Sequence, residues 1–114
     1  MSEIFEIGYF QLENLTLNQV AFVFFDLRKE RTPVKDEPLR SMMKPALAMD
    51  HEDVTGYLSE KAFDKSTPIV LMCDEGKISH SLASELEEQG YLNVNVIENG
   101  FRGLLEEASA LTHS

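Results

Sequence analysis

The sequence predicts an α/β fold: a mostly parallel central sheet of about five strands with helices on both faces. Three observations point there. Short apolar runs, Ala21-Phe22-Val23-Phe24-Phe25 and Ile69-Val70-Leu71-Met72, have the length and uniformity of strands covered on both sides. Stretches with helical apolar spacing alternate with such runs. The single cysteine, Cys73, ends the second run and opens a short glycine-containing loop before a helix-like stretch. A thiol between a buried strand and a helix N-terminus sits where backbone N–H groups converge.

In chain order, Ile4 to Ile7 reads as an N-terminal strand, and Ala21 to Phe25, closed by Asp26, as a fully buried one. Arg28 to Met43 contains two prolines and many charges, and reads as a long irregular connection. Ala46-Leu47-Ala48-Met49 is a short strand candidate, although alanine favours helix. Asp50 or His51 would cap a helix reaching about Lys61, with Val54, Tyr57 and Leu58 on one face. After the strand Ile69 to Met72, Ser79 to Gln89 has the clearest helical stripe: Leu82, Ala83 and Leu86. Ser79 would start it and Gly90 would stop it at C′. Val94 to Ile97 is a strand closed by the turn Glu98-Asn99-Gly100. Phe101 to Ala110 is a last helix, with Glu106 and Glu107 placed against its dipole. Thr112-His113-Ser114 reads as a loose end.

A chain of 114 residues suits one domain, spanning 1–114, with a core large enough to stand without staples. One cysteine excludes an internal disulfide and fits a reducing, cytoplasmic setting. Met1 to Glu6 lacks the basic start of a secretory signal, and no apolar run approaches the roughly 20 residues that span a bilayer. Twenty acids against ten bases give a net charge of -10, spread along the chain. That disfavours nucleic acid, whose phosphates call for Lys and Arg, and permits a basic protein partner.

The loop Asp74-Glu75-Gly76-Lys77-Ile78 places Cys73 between a strand end and a helix N-terminus. Successive N–H groups in a tight loop, with Gly76 allowing the turn, would point at the sulfur. Such surroundings favour a thiolate, a persulfide or a bound anion. The chemistry also asks that the sulfur be exposed beyond the strand end. A thiolate there would attack a sulfane sulfur and hold it while the N–H groups stabilise the terminal sulfur. The opposing reading makes Cys73 a small buried hydrophobe.

This setting resembles the rhodanese-like, single-domain sulfurtransferase family. The resemblance runs in order over most of the chain. A strand ends in Asp-x-Arg, as Asp26-Leu27-Arg28. The cysteine signature Cys-x-x-Gly-x-Arg-Ser corresponds to Cys73-Asp74-Glu75-Gly76-Lys77-Ile78-Ser79. A helix ends in Gly90-Tyr91 and runs through Leu92-Asn93-Val94 into a strand. Asn99-Gly100 then leads into Phe101-Arg102-Gly103. The resemblance implies a three-layer rhodanese-like fold with a short strand and helix at its start. It implies sulfur carried on Cys73, cradled by residues 74–79, with no cofactor or metal. The donor would be a small sulfane compound or a sulfur-relay protein. The Asp26–Arg28 pair would stabilise the loops around the site, with Asp26 accepting backbone hydrogen bonds and Arg28 serving as an ion-pair or rim residue, or else touching substrate directly.

The departures bear on chemistry. Ile78 stands where the family has arginine, which closes the loop and favours anionic donors. Asp74 and Glu75 follow the cysteine directly and would oppose negative charge if they point inward. Lys77 offsets this in part, without the fork of an arginine. Met42-Met43-Lys44-Pro45-Ala46 occupies the place of a His-x-Pro-Gly-Ala stretch, and Leu104 that of a tryptophan. Related phosphatases and arsenate reductases carry arginine six positions after the cysteine, where this chain has Ser79. Arg40 and Lys44 would either supply a positive rim or stay as solvated surface charge. His80 would cap or line the first helical turn, or act as a base beside Cys73. His51, His80 and His113 lack zinc spacing with Cys73. Met42 and Met43 would fill apolar space or form a soft lip, and Phe22, Phe24 and Phe25 belong to the core. Three functions follow: a sulfurtransferase working through Cys73, a noncatalytic protein-binding module on the same fold, and a redox-responsive thiol.

Overall fold

The computed structural model describes residues 4–18, 21–29, 34–74 and 76–112. Its elements are β1 (Ile4–Ile7), α1 (Tyr9–Leu17), β2 (Val23–Asp26), α2 (Glu37–Met42), β3 (Leu47–Ala48), α3 (His51–Glu60), β4 (Ile69–Met72), α4 (Lys77–Glu88), β5 (Val94–Ile97) and α5 (Gly100–Thr112). The sheet order is β1-β5-β4-β2-β3, and every pairing among the described residues is parallel. Parallel neighbours need crossovers, and the intervening helices supply them.

All four residues of β2 and of β4 are buried, which explains why all of them but Asp26 are apolar. Alternation sends successive side chains to opposite faces. Phe25, Leu27, Ile69, Leu71 and Cys73 pack beneath α3 and α4, with Val54, Leu58, Leu82 and Leu86. Phe24, Val70 and Met72 pack on the other face beneath α1, α2 and α5, with Leu12, Leu39, Met42, Phe101 and Leu104. Each fully buried Leu, Ile or Phe of this kind contributes roughly 1.5–3 kcal/mol of transfer free energy.

Three strands, β1, β4 and β5, match the expected spans. Strand β2 starts at Val23 rather than Ala21, because the ladder begins where Val23 N–H meets Pro68 O at 2.9 Å. Strand β3 is only Leu47–Ala48. The 28–43 connection is not wholly irregular. Asp36 accepts from Leu39 N–H at 2.9 Å and Pro38 sits in the first turn, so α2 forms. Helix α4 starts at Lys77, not Ser79, because Gly76 takes the N-cap with a left-handed φ of 98°. Gly90, at φ 97°, stops it as expected. Helix α5 runs on to Thr112 instead of loosening there, while His113 and Ser114 lie outside the described residues.

Helix α1 has no stripe the sequence advertises. Only Tyr9 and Leu12 are buried. Its start is held from elsewhere: Gly8 N–H donates to Gln11 Oε1 at 3.0 Å, and Tyr9 N–H to Glu107 Oε1 at 3.4 Å. Glu107 therefore sits at the positive end of α1, so an acid unfavourable within α5 is favourable between helices. Glu106 is offset by Arg102 at 3.4 Å.

Candidate functional site

The site begins where β4 ends. Cys73 O accepts from Phe101 N–H at 2.7 Å and Asp74 O accepts from Arg102 N–H at 3.3 Å. The first turn of α5 thus pins the loop by its open amides. Gly100 makes this contact possible. Its φ is 64°, and a Cβ there would overlap the Cys73 carbonyl oxygen and lie 2.8 Å from Asp74. The preceding Asn99 also takes a positive φ, 58°.

With the chain so held, the loop turns inward. Gly76 N–H points at Cys73 Sγ at 3.0 Å and Ser79 N–H at 3.4 Å. Two main-chain dipoles converge on one sulfur at the N-terminus of α4. Asp74 and Lys77 are exposed to solvent, and Ile78 is half-buried against the core beneath α4. Glu75 lies outside the described residues. Ser79 is fully buried, and its Oγ has no hydrogen-bond partner among the described residues. Its backbone, not its side chain, faces the sulfur.

The sulfur is not exposed as the sequence reading asked. Cys73 is 2% accessible. The two N–H groups draw the thiol into the loop, and its side chain leaves the sheet on the face covered by α3 and α4. The structure therefore combines both sequence readings: amides turned toward the sulfur, and a sulfur packed with the core.

Asp26 and Arg28 form a buried pair on the opposite face. Arg28 Nε and Nη2 donate to Asp26 Oδ1 and Oδ2, both at 2.9 Å, and Arg28 N–H donates to Oδ1 at 3.2 Å. Arg28 is 5% exposed, so it is no rim residue. Its guanidinium carbon lies 4.0 Å from the centroid of the Phe101 ring. Phe101 is the residue whose N–H holds Cys73 O. The pair thus braces the α5 start that braces the loop. Arg28 Nη1 is buried without a hydrogen-bond partner among the described residues.

The remaining candidates disperse. Arg40 pairs with Glu37 at 3.3 Å on the exposed side of α2, and Lys44 is exposed in the turn after it. Helix α2 covers the face opposite the Cys73 side chain, so these two cations read as solvated charge. His80 is not turned to the sulfur: Nε2 lies 3.1 Å from Glu6 Oε1 on β1. Met42 is core and Met43 packs against the same cluster. Among the described residues no group of three or more His, Cys, Asp or Glu is arranged to hold a metal ion. No helix among them is long and apolar enough to cross a membrane. Sequence reasoning missed Gly100, Phe101 and Arg102 as the clamp on Cys73. Two successive turn residues, Asn99-Gly100, before a helix were the available signal.

A parallel sheet with a cysteine loop at its carboxyl rim defines a class, and comparison gives the family. The rhodanese-like domain model matches residues 16–107, and the chain belongs to that family. A thiosulfate sulfurtransferase, GlpE, from Pseudoalteromonas translucida is 35% identical over 54 residues, 47% of this chain and 50% of that protein. The match thus spans half the length of that relative. The rhodanese-like domain of an Anabaena protein has a TM-score of 0.66 at 19% identity, over 90% of this chain and 74% of that one. A rhodanese homologue from Thermus thermophilus has a TM-score of 0.59 at 22% identity, over 87% and 99%. At these identities the two structures attest the fold.

Proposed function

We propose that this chain is a sulfurtransferase that carries sulfane sulfur as a persulfide on Cys73 and passes it to a thiol or cyanide. The observation that carries this reading is the convergence of Gly76 and Ser79 N–H on Cys73 Sγ. Family membership and the partial match to a thiosulfate sulfurtransferase support it.

The Cys73 thiolate attacks the outer sulfur of the donor. The new Sγ–S bond forms as the donor's own bond to that sulfur breaks, and the donor remainder leaves with the electron pair. The terminal sulfur then bears the negative charge that the amides stabilise. An acceptor thiolate or cyanide attacks that sulfur, and Cys73 departs as thiolate. Backbone donors serve this without the family's arginine, since a substitution at position 78 leaves the N–H groups in place. Ile78 packs inward and exposed Asp74 adds negative charge to the approach. Anionic thiosulfate is therefore a poorer donor than a persulfidated protein or thiol. With Cys73 2% accessible and packed beneath α3 and α4, loading requires that cover to open.

Intact mass after incubation with thiosulfate, polysulfide and a persulfidated protein tests the reading. One added sulfur is expected, lost in Cys73→Ser. No adduct with any of the three contradicts it. The same burial favours a second reading, a noncatalytic module on this fold that binds a protein partner. Partner capture unchanged in Cys73→Ser, together with no persulfide on the isolated chain, would decide for it.

A further inference from the structure

Helix α3 carries two features that no contact among the described residues explains. Gly56 is exposed in the middle of the helix, and a Cβ there would meet nothing within 4 Å. Its φ is not left-handed. An exposed helix-interior glycine weakens a helix relative to alanine, and no contact among the described residues demands it here. Glu60 lies in the last turn, against the dipole, with no basic residue within that turn and Lys61 following at the C-cap. Gly56 and Glu60 line one groove of about 420 Å³, together with Glu52 and Asp53 of the first turn and half-buried Met49 and Tyr57. The Tyr57 ring is fixed edge-on to Phe25 at 5.7 Å and tilted against Phe63 at 6.1 Å. The groove therefore has a firm apolar floor and a carboxylate at each end.

We propose that this face of α3 docks a basic amphipathic helix of a partner protein, crossing at Gly56. Local rules broken without internal compensation mark places where an outside contact supplies the reason. The missing Cβ lets a second helix approach more closely than the usual 8–10 Å between axes. Glu52 and Glu60 lie about 12 Å apart along the helix, which matches cations about two turns apart on the incoming one. An apolar side chain between those cations meets Met49 and Tyr57. Lys61, with Nζ 5.9 Å from the Tyr57 ring, flanks the far end. A second copy of this chain is a poor occupant, because a net charge of -10 brings like charges to an acidic face.

The groove lies near the cysteine loop. Met49 follows β3, which is separated from β4 by β2 alone, so the two strand ends lie about 10 Å apart on the same rim. A docked partner would present its neighbouring chain to that rim. The inference does not depend on persulfide chemistry, and Cys73→Ser leaves docking unchanged.

The probe is a helical peptide of about 16 residues, rich in alanine and leucine, with lysines about seven residues apart. It is titrated against the full chain at low and physiological salt. Glu52→Gln/Asp53→Asn/Glu60→Gln should weaken binding about tenfold or more. Glu13→Gln/Glu85→Gln/Glu88→Gln removes the same charge elsewhere and should change it by less than about twofold. Gly56→Ala should raise Tm and weaken binding, a combination that a merely solvated glycine would not give. Equal loss in the two triple variants, no saturable binding, or unchanged affinity in Gly56→Ala would each overturn the proposal.

Discussion

The carboxyl ends of β2 and β4 lie side by side, with Asp26 in register with Met72, and they solve opposite problems. At the end of β2 two full charges are buried and neutralise each other through two side-chain hydrogen bonds, with a third from the Arg28 main-chain N–H. At the end of β4 the donors are neutral amides that leave the sulfur free to acquire charge. The first arrangement fixes geometry. The second is tolerant of side-chain change and keeps electrostatic capacity for a reacting atom. The two are joined through Phe101, which stacks on Arg28 and donates to Cys73 O.

The largest expected effect comes from breaking the ion pair. Asp26→Ala leaves a buried guanidinium without its carboxylate and should lower stability by about 3–5 kcal/mol in urea unfolding. Replacing both Asp26 and Arg28 by Leu should be markedly milder than either single loss. If the double variant were the worst of the three, bracing rather than charge balance would dominate.

Gly100→Ala should follow. The left-handed φ and the overlap with the Cys73 carbonyl together should cost about 2 kcal/mol or more. Sulfur loading should fall with it, measured on protein still folded at low temperature. Gly76→Ala shares the positive φ, but its Cβ would find Asn99 and Gly100 no nearer than 3.7 Å. A loss of about 1–2 kcal/mol from backbone strain alone is expected. Comparable losses at the two glycines would remove the clamp by α5 from the account.

The smallest effect lies away from both strand ends. Hydrogen bonds from the Ser66 side chain and then its backbone hold the Asp64 carboxyl below its ordinary range. The favourable term is present above the unfolded carboxyl's titration and is lost as pH falls through the folded one. Ser66→Ala should move the Asp64 titration upward by NMR and leave the Cys73 loop resonances unchanged.

How far the sequence could be read depended on how local each signal is. Strands buried on both faces announce themselves as unbroken apolar runs, so β2 and β4 were legible apart from a residue or two. The stripe of α4 was legible, but its start was not, because Gly76 is read as a turn residue before it is read as an N-cap. Helix α1 was legible only through the family resemblance and not from its own pattern, because its N-terminus is completed by Glu107, 98 residues away. The cysteine loop was placed correctly from strand, glycine and helix order. Its depth was not, since burial of Cys73 depends on the packing of α3 and α4 over the sheet. The clamp by Phe101 and Arg102 is a long-range main-chain contact with no side-chain signature.

The most direct test exposes folded and urea-unfolded protein to the same thiol persulfide and reads the mass of the Cys73 peptide. Amide-held charge on sulfur predicts that the folded chain gains one sulfur and keeps it longer than the unfolded chain does. Loading seen only after unfolding would mean that Cys73 is a core residue and that its converging amides serve the fold alone.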